Sequence, residues 1–465
     1  MLQAAGMVVG WRSQPGWSSW VVLKKAVILL PGRPDSPAGL GKPTPLLRVG
    51  GLTWIQRTVY TAQWSGVQEG IILSRGDWPE VDRQILENPK NRAFLCVSLV
   101  PGTEAGRNVK RLKEFLQEDL LVFFPSWIVD RQILRELCGT EGPLAGPIAV
   151  GDRQQRAEDR AKGLPALALL PGSRNPDLVE ALQAADPVEA FGRLLKNLPA
   201  VEERLLGEPG LIRAESQADL AKAERLLFQS LIKPTESFLS KNFERKVSLA
   251  ITRRLLNSRI TPNQISIFSI LLGLASGLLF LGEHRLTHVS GALLLLFSSI
   301  VDGCDGEVAR LKFQESRLGS LLDFLGDNLV HVTVFFCIGL GLFRRGEGSV
   351  YLGLGILAAL GTFASAFAVF RRVFHRNGSA IITFSTPVRG EEMDRAQGRL
   401  RRQIEFADKI SNRDFIYVIL GLAALGGLRI YAWISALGSM FYFFYLLYLY
   451  RRMGRLSRVS PSSDA

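Results

Sequence analysis

The spacing of apolar and polar positions changes character about halfway along the chain. Before residue 235 the apolar runs are short and separated by polar or Gly/Pro-rich breaks. Ala26–Leu30, Gly70–Ser74, Phe94–Val100 and Leu120–Phe124 read as buried strands, and Trp54–Trp64 has helical period. Ala214–Leu231 is also helical in period, and Lys233-Pro234 ends it. Alternating strands and helices predict an α/β domain with a mostly parallel sheet over residues 24–232. Beyond residue 260 the pattern becomes six long apolar segments, at about 264–282, 286–310, 317–343, 349–370, 414–429 and 431–450. Each is near the length that crosses a bilayer, the fifth being the shortest. An all-α transmembrane domain of six helices is therefore expected over 261–456.

Three smaller stretches complete the division. Residues 1–23 form an N-terminal extension whose apolar run is broken by Lys24-Lys25, unlike a signal peptide. Residues 233–260 include Phe238–Leu256, where apolar positions alternate with Lys241, Arg245, Lys246, Arg253 and Arg254. That is the pattern of a basic amphipathic helix lying on a membrane surface. Residues 457–465 are a polar tail. Gly273, Gly277, Gly353, Gly355 and Gly361 predict close helix crossings.

Charge adds orientation. The 465 residues carry a formal net charge of +13, gathered beside the apolar runs. Ten Lys/Arg lie between residues 371 and 413, and Arg451, Arg452, Arg455 and Arg458 follow the last segment. The loops on the other side hold Arg285, Arg344, Arg345 and Arg429. This asymmetry places both termini and the 371–413 loop in the cytoplasm of a multi-pass inner-membrane protein. It points to anionic lipid rather than nucleic acid. Cys96, Cys138, Cys304 and Cys337 have neither metal-site spacing nor a disulfide framework.

Candidate chemistry lies inside sequence apolar enough for a membrane. Asp302 and Asp305 are three apart, Asp323 and Asp327 four apart, so each pair shares a helix face. Gly306, Ala309 and Gly319 are small positions beside them. Charges at membrane depth are costly, and paired carboxylates on two helices suit one or two hard divalent cations held against a diphosphate.

The run Asp302-x-x-Asp305-Gly306-x-x-Ala309-Arg310, eight residues, Gly319-x-x-x-Asp323-x-x-x-Asp327 resembles the signature of the CDP-alcohol phosphotransferase family at every fixed position. The resemblance extends over about residues 233–456. It implies a six-helix membrane fold, Mg²⁺ or Mn²⁺ as cofactor, a CDP-alcohol donor and a hydroxyl acceptor, with CMP released. A homodimer in membrane lipid is the expected assembly. Asp302, Asp305 and Asp323 would hold metal, while Asp327 would share it or take the proton from the attacking hydroxyl. Arg310 would pair with phosphate, and Gly306, Ala309, Gly319 and Asn263 would line the nucleotide pocket. Arg371, Arg372 and Arg413 are candidates for an acceptor's phosphate.

The loop Pro31–Pro43 after the first strand resembles the start of a sugar-nucleotide-type nucleotidyltransferase. Pro125-Ser126 stand where that family places a metal-binding aspartate, which reads as a degenerate domain with a binding or scaffolding role. Asp119 and Asp130 flank the same strand as fallback ligands. The order of the halves resembles the bifunctional inositol-phosphate cytidylyltransferase / di-myo-inositol-phosphate phosphate synthase family, which implies an inositol-phosphate-type acceptor. Two other readings stay open: a phospholipid synthase using CDP-diacylglycerol, and a non-enzymatic membrane transporter or ion-binding protein.

Overall fold

The computed structural model describes residues 23–30, 44–74, 78–86, 88, 91, 94–98, 115, 118–138, 147–152, 165–171, 187–198, 201–206, 210–214, 216–232, 243–376, 402–403 and 415–459. It divides into two compact units, one ending at Gln229 and one beginning at Ser230.

The first unit has eleven described strands: β1 (Lys25–Leu29), β2 (Arg48–Val49), β3 (Leu52–Thr53), β4 (Glu69–Ser74), β5 (Phe94–Ser98), β6 (Leu120–Phe123), β7 (Trp127–Val129), β8 (Ile148–Asp152), β9 (Leu167–Leu170), β10 (Glu202–Leu206) and β11 (Leu211–Arg213). Its helices are α1 (Trp54–Trp64), α2 (Pro79–Leu86), α3 (Arg131–Cys138), α4 (Pro187–Asn197) and α5 (Gln217–Gln229). Seven strands form one sheet in the order β10-β8-β9-β6-β1-β4-β5. All pairings are parallel except those of β9, which runs antiparallel to both β6 and β8. The four expected strands are found as β1, β4, β5 and β6, and the expected helix as α1.

Local chemistry fixes the start of α1. A capping box joins Thr53 and Gln56, and Gly50 and Gly51 take positive φ in the β2–β3 turn. Arg57 reaches back from α1 to the carbonyls of Val49 and Gly50, at 2.9 and 3.1 Å from Nη2. Burial, and after it the neighbouring Arg131, lower its pKa to about 10 against the opposing pull of Glu224. Trp54, 1% exposed, donates its indole N–H to the Trp127 carbonyl at 2.7 Å.

The second unit is helical: α6 (Arg245–Leu255), α7 (Pro262–Leu279), α8 (Arg285–Leu311), α9 (Arg317–Arg344), α10 (Ser349–Arg376), α11 (Phe415–Leu425) and α12 (Leu428–Val459). Five of these, α7 to α10 and α12, are long and apolar enough to cross a membrane; α11 is apolar but shorter. The six-helix expectation thus stands as five spans and one short helix among the described residues. The core joins Phe280, Leu295, Ile300, Val334, Ile338, Ile419 and Tyr431, while Leu271, Leu278, Phe363 and Leu437 face outward. Such an apolar exterior, over helices of this length, makes the unit an integral membrane bundle.

Small residues set the crossings that matter for the site. A methyl at Gly326 of α9 would overlap Ile270 of α7, and one at Gly273 would press on Val330 and Ser298. Gly277, Gly355 and Gly361 also lie at close approaches, whereas Gly353 faces open space and serves no crossing.

Candidate active site

The sharp α8–α9 turn, with Phe313 at φ 53°, brings the two halves of the aspartate motif together. Asp302 and Asp305 are buried on α8, and Asp323 is half-buried on α9. Each of these three offers an oxygen, and the three oxygens lie within 4.8 Å of one another. Asp327, one turn further along α9, stands outside that triad. It shares a cavity with Asp302, Ser269, Ser298, Ser299 and His331.

The adjacent helix α7 supplies hydroxyls to the carboxylates. Ser266 donates to Asp305 Oδ2, and the Ser269 hydroxyl lies between the Ser266 carbonyl at 2.8 Å and Asp302 Oδ1 at 3.3 Å; both serines are 2% exposed. The backbone N–H of Gly306 also donates to Asp305. Ser298 fixes the α7–α8 spacing by donating to the Ser269 carbonyl at 2.7 Å. Hydroxyls that orient carboxylates in this way form the outer layer of many metal sites. Three convergent carboxylate oxygens suit a hard cation, and the remaining positions on such an ion stay open to substrate oxygens.

Two helix N-termini meet beside the triad. A methyl on Gly319, in the first turn of α9, would lie 3.1 Å from Asn263 Oδ1 in the first turn of α7. Ser316 caps α9 by accepting from the Gly319 N–H at 3.0 Å, and the Thr261 N–H donates to Gln264 Oε1 at 2.9 Å. The positive ends of both dipoles therefore lie where a phosphate would be welcome. Arg310 folds back over Gly306: a methyl there would be 3.2 Å from its guanidinium. Asn263, Gly306, Ala309, Arg310 and Gly319 thus lie along the first turns of α7 and α9 and the last turns of α8.

Arg371 is exposed on α10, and Arg372 lies 4.5 Å from the Tyr450 ring centroid with Met453 beside it on α12. Arg413 and the Pro31–Pro43 loop lie outside the described residues.

Sequence reasoning missed Glu307, which is completely buried. Its Oε1 accepts from Arg245 Nη1 at 2.6 Å and Ser248 Oγ at 2.7 Å, and its Oε2 from Thr252 Oγ1 at 2.7 Å. The signal was present as polar positions Arg245, Ser248 and Thr252 recurring at helical spacing on α6. The most buried positions of α6 are Ser248 and Thr252, which face α8, rather than its apolar ones.

In the first unit, Pro125 and Ser126 come after β6 and Phe124. Ser126 has φ 70°, and its carbonyl accepts from the Ala214 N–H at 2.7 Å. Asp130 is used as a cap, accepting from the N–H groups of Gln132 at 2.8 Å and Ile133 at 3.3 Å. Asp119 precedes β6, at the opposite end of the strand from Pro125.

Carboxylates, hydroxyls and two helix N-termini thus gather at one end of an apolar helix bundle. Residues 259–387 match the family model for CDP-alcohol phosphatidyltransferase, and the chain carries a domain of that family. The chain is 24% identical over 387 residues to a bifunctional IPC transferase and DIPP synthase from Thermococcus kodakarensis, covering 77% of this chain and 85% of the relative. A protein of the same name from Rubrobacter xylanophilus is 29% identical over 353 residues, covering 69% and 78%. A CDP-diacylglycerol–serine O-phosphatidyltransferase from Mycobacterium leprae is 38% identical over 76 residues, 16% of this chain and 24% of the relative. The order of an α/β unit before the membrane domain is thus shared with the bifunctional relatives.

Proposed function

We propose that this protein is a membrane transferase that moves a phospho-alcohol group from a CDP-alcohol to an acceptor hydroxyl and releases CMP. The observation that carries the reading is the triad of Asp302, Asp305 and Asp323 within 4.8 Å, beneath the converging N-termini of α7 and α9. A divalent cation, Mg²⁺ or Mn²⁺, held by those three would neutralise charge on the diphosphate. Ser266 and Ser269 keep Asp305 and Asp302 turned toward it. Arg310 and the two helix N-termini bind the phosphates of the donor, so the leaving CMP departs with its charge compensated. Asp327, outside the triad and lining the neighbouring cavity, is placed to accept the proton of the attacking hydroxyl. In-line placement of that hydroxyl supplies the remaining rate, as phosphoryl-type transfer needs positioning more than covalent help.

The acceptor class follows from the relatives: long matches to IPC transferase and DIPP synthase proteins favour an inositol-phosphate-type acceptor. The shorter match to a CDP-diacylglycerol-dependent enzyme favours a lipid donor as the second reading. The active site, the α/β unit and both termini are assigned to the cytoplasmic side, where CDP-linked substrates are made. The α/β unit is read as degenerate, since Asp130 is spent on capping α3 and Pro125-Ser126 follow β6. Mass spectrometry of products from purified protein decides among these readings. CDP-inositol or CDP-diacylglycerol is supplied with inositol phosphate, serine or glycerol phosphate as acceptors. CMP with a phosphodiester product from CDP-inositol supports the first reading, and a chloroform-soluble product supports the second. Absence of CMP from every pair would leave the transporter reading standing.

A further inference from the structure

The helix α8 is gripped from two opposite sides. With about 100° per residue, Asp302 and Asp305 lie about 60° apart on one face. Glu307 lies about 140° round from Asp302 and about 160° from Asp305 in the other direction. The carboxylate face meets α7 through Ser266 and Ser269, while the Glu307 face meets α6 through Arg245, Ser248 and Thr252. Cys304 on that same back face lies 3.5 Å from the Ser248 carbonyl. Lys312, at the end of α8, donates to the Ser258 carbonyl just beyond α6 at 3.1 Å. Apolar contacts of Ile251 and Leu255 with Val301, Cys304 and Val308 would dock α6 but would tolerate sliding and rotation. Three directional donors on one fully buried carboxylate would not.

We infer that Glu307 is a positioning residue: its clamp on α6 fixes the rotation of α8 so that Asp302 and Asp305 meet Asp323. Scale supports this. Side-chain oxygens sit about 5–6 Å from a helix axis, so a rotation of about 10° moves them by about 1 Å. Metal–oxygen distances tolerate about 0.2 Å. Without an angular lock, thermal rocking of α8 would cost the site a ligand. The inference rests on the metal reading proposed above and adds a residue that touches neither metal nor substrate.

The test is Mn²⁺ binding to the full chain in detergent, read by electron paramagnetic resonance of the free ion, with melting temperature measured in chelator. Thr252→Val and Ser248→Ala each remove one hydroxyl donor and should weaken Mn²⁺ binding by about tenfold, the lower end of what outer-layer partners of a metal contribute. Thr252→Ser keeps the donor and should bind as wild type. Glu307→Gln should weaken binding further, and the hydroxyl variants carry the test if it fails to fold. Leu446→Ala, a buried position on α12, should lower the melting temperature and leave Mn²⁺ binding unchanged. Wild-type affinity in Thr252→Val, Ser248→Ala and Glu307→Gln would overturn the inference and leave the clamp a docking contact. A wild-type chain that binds no Mn²⁺ would remove the metal reading, and this inference with it.

Discussion

Charged side chains serve different ends at two places in this chain. In the α/β unit, two charged side chains near the sheet are spent on the fold. Arg57 holds the β2–β3 turn through the Val49 and Gly50 carbonyls, and Asp130 caps α3. In the helical unit, three carboxylates converge inside an apolar bundle, where burying charge is most costly. Serines of the neighbouring helix orient two of them. The contrast teaches where to look for chemistry: a charge that closes a turn or caps a helix explains itself, whereas like charges gathered together mark a candidate site.

The contrast can be broken most sharply at the triad. Asp323→Asn should lower CMP release by roughly 10³-fold, because charge stabilisation of several kcal/mol is lost at about 1.4 kcal/mol per decade. Its melting temperature in chelator should stay close to wild type. A mutant with near-normal turnover would show that the α9 carboxylate is not a ligand.

One layer out, Ser266→Ala should lower metal affinity by about 10- to 100-fold, as for other outer-layer partners. Titrating CMP release against Mg²⁺ reads this as a shift in half-saturation. An unshifted curve would make the Ser266–Asp305 bond incidental.

In the α/β unit the expected effect is on stability alone. Trp54→Ala empties a buried site and removes the bond to Trp127, costing about 3–5 kcal/mol. Thermal unfolding should show an earlier transition, while CMP release at low temperature stays within twofold. A parallel loss of CMP release would mean that the first unit contributes to the membrane reaction.

The smallest expected effect is a labelling pattern. Glu347, in the α9–α10 connection, is paired with Arg429 on the side assigned away from the cytoplasm. Glu347→Cys should be active, and should react with an impermeant maleimide in intact cells but not in sealed inside-out vesicles. The reverse pattern would invert the topology.

Much of this was legible in the sequence, for physical reasons. Short apolar runs gave β1, β4, β5 and β6, since a fully buried strand needs little else. The three- and four-residue spacings placed the aspartates on shared faces before any coordinates. Strands β8, β9 and β10 were not foreseen: Leu167–Leu170 is four residues long, and Glu202–Leu206 has charged positions at a sheet edge. The reversal of β9 is tertiary and leaves no mark in local spacing. Glu307 was passed over because a lone acid between motif positions looks variable, and its donors lie 55 to 62 residues earlier. The roles given to Arg371 and Arg372 rested on charge alone, and charge could not show that Arg372 would pack on Tyr450.

The most direct test of the central claim follows both nucleotide products from one purified full-length protein, wild type and Asp305→Asn. Wild type should release CMP from CDP-inositol or CDP-diacylglycerol only with Mg²⁺ or Mn²⁺ present, and should release no pyrophosphate from CTP and inositol phosphate. Asp305→Asn should fold and release neither. CMP release by Asp305→Asn, or by wild type in excess chelator, would contradict the carboxylate site; pyrophosphate from CTP would contradict the reading of the α/β unit as degenerate.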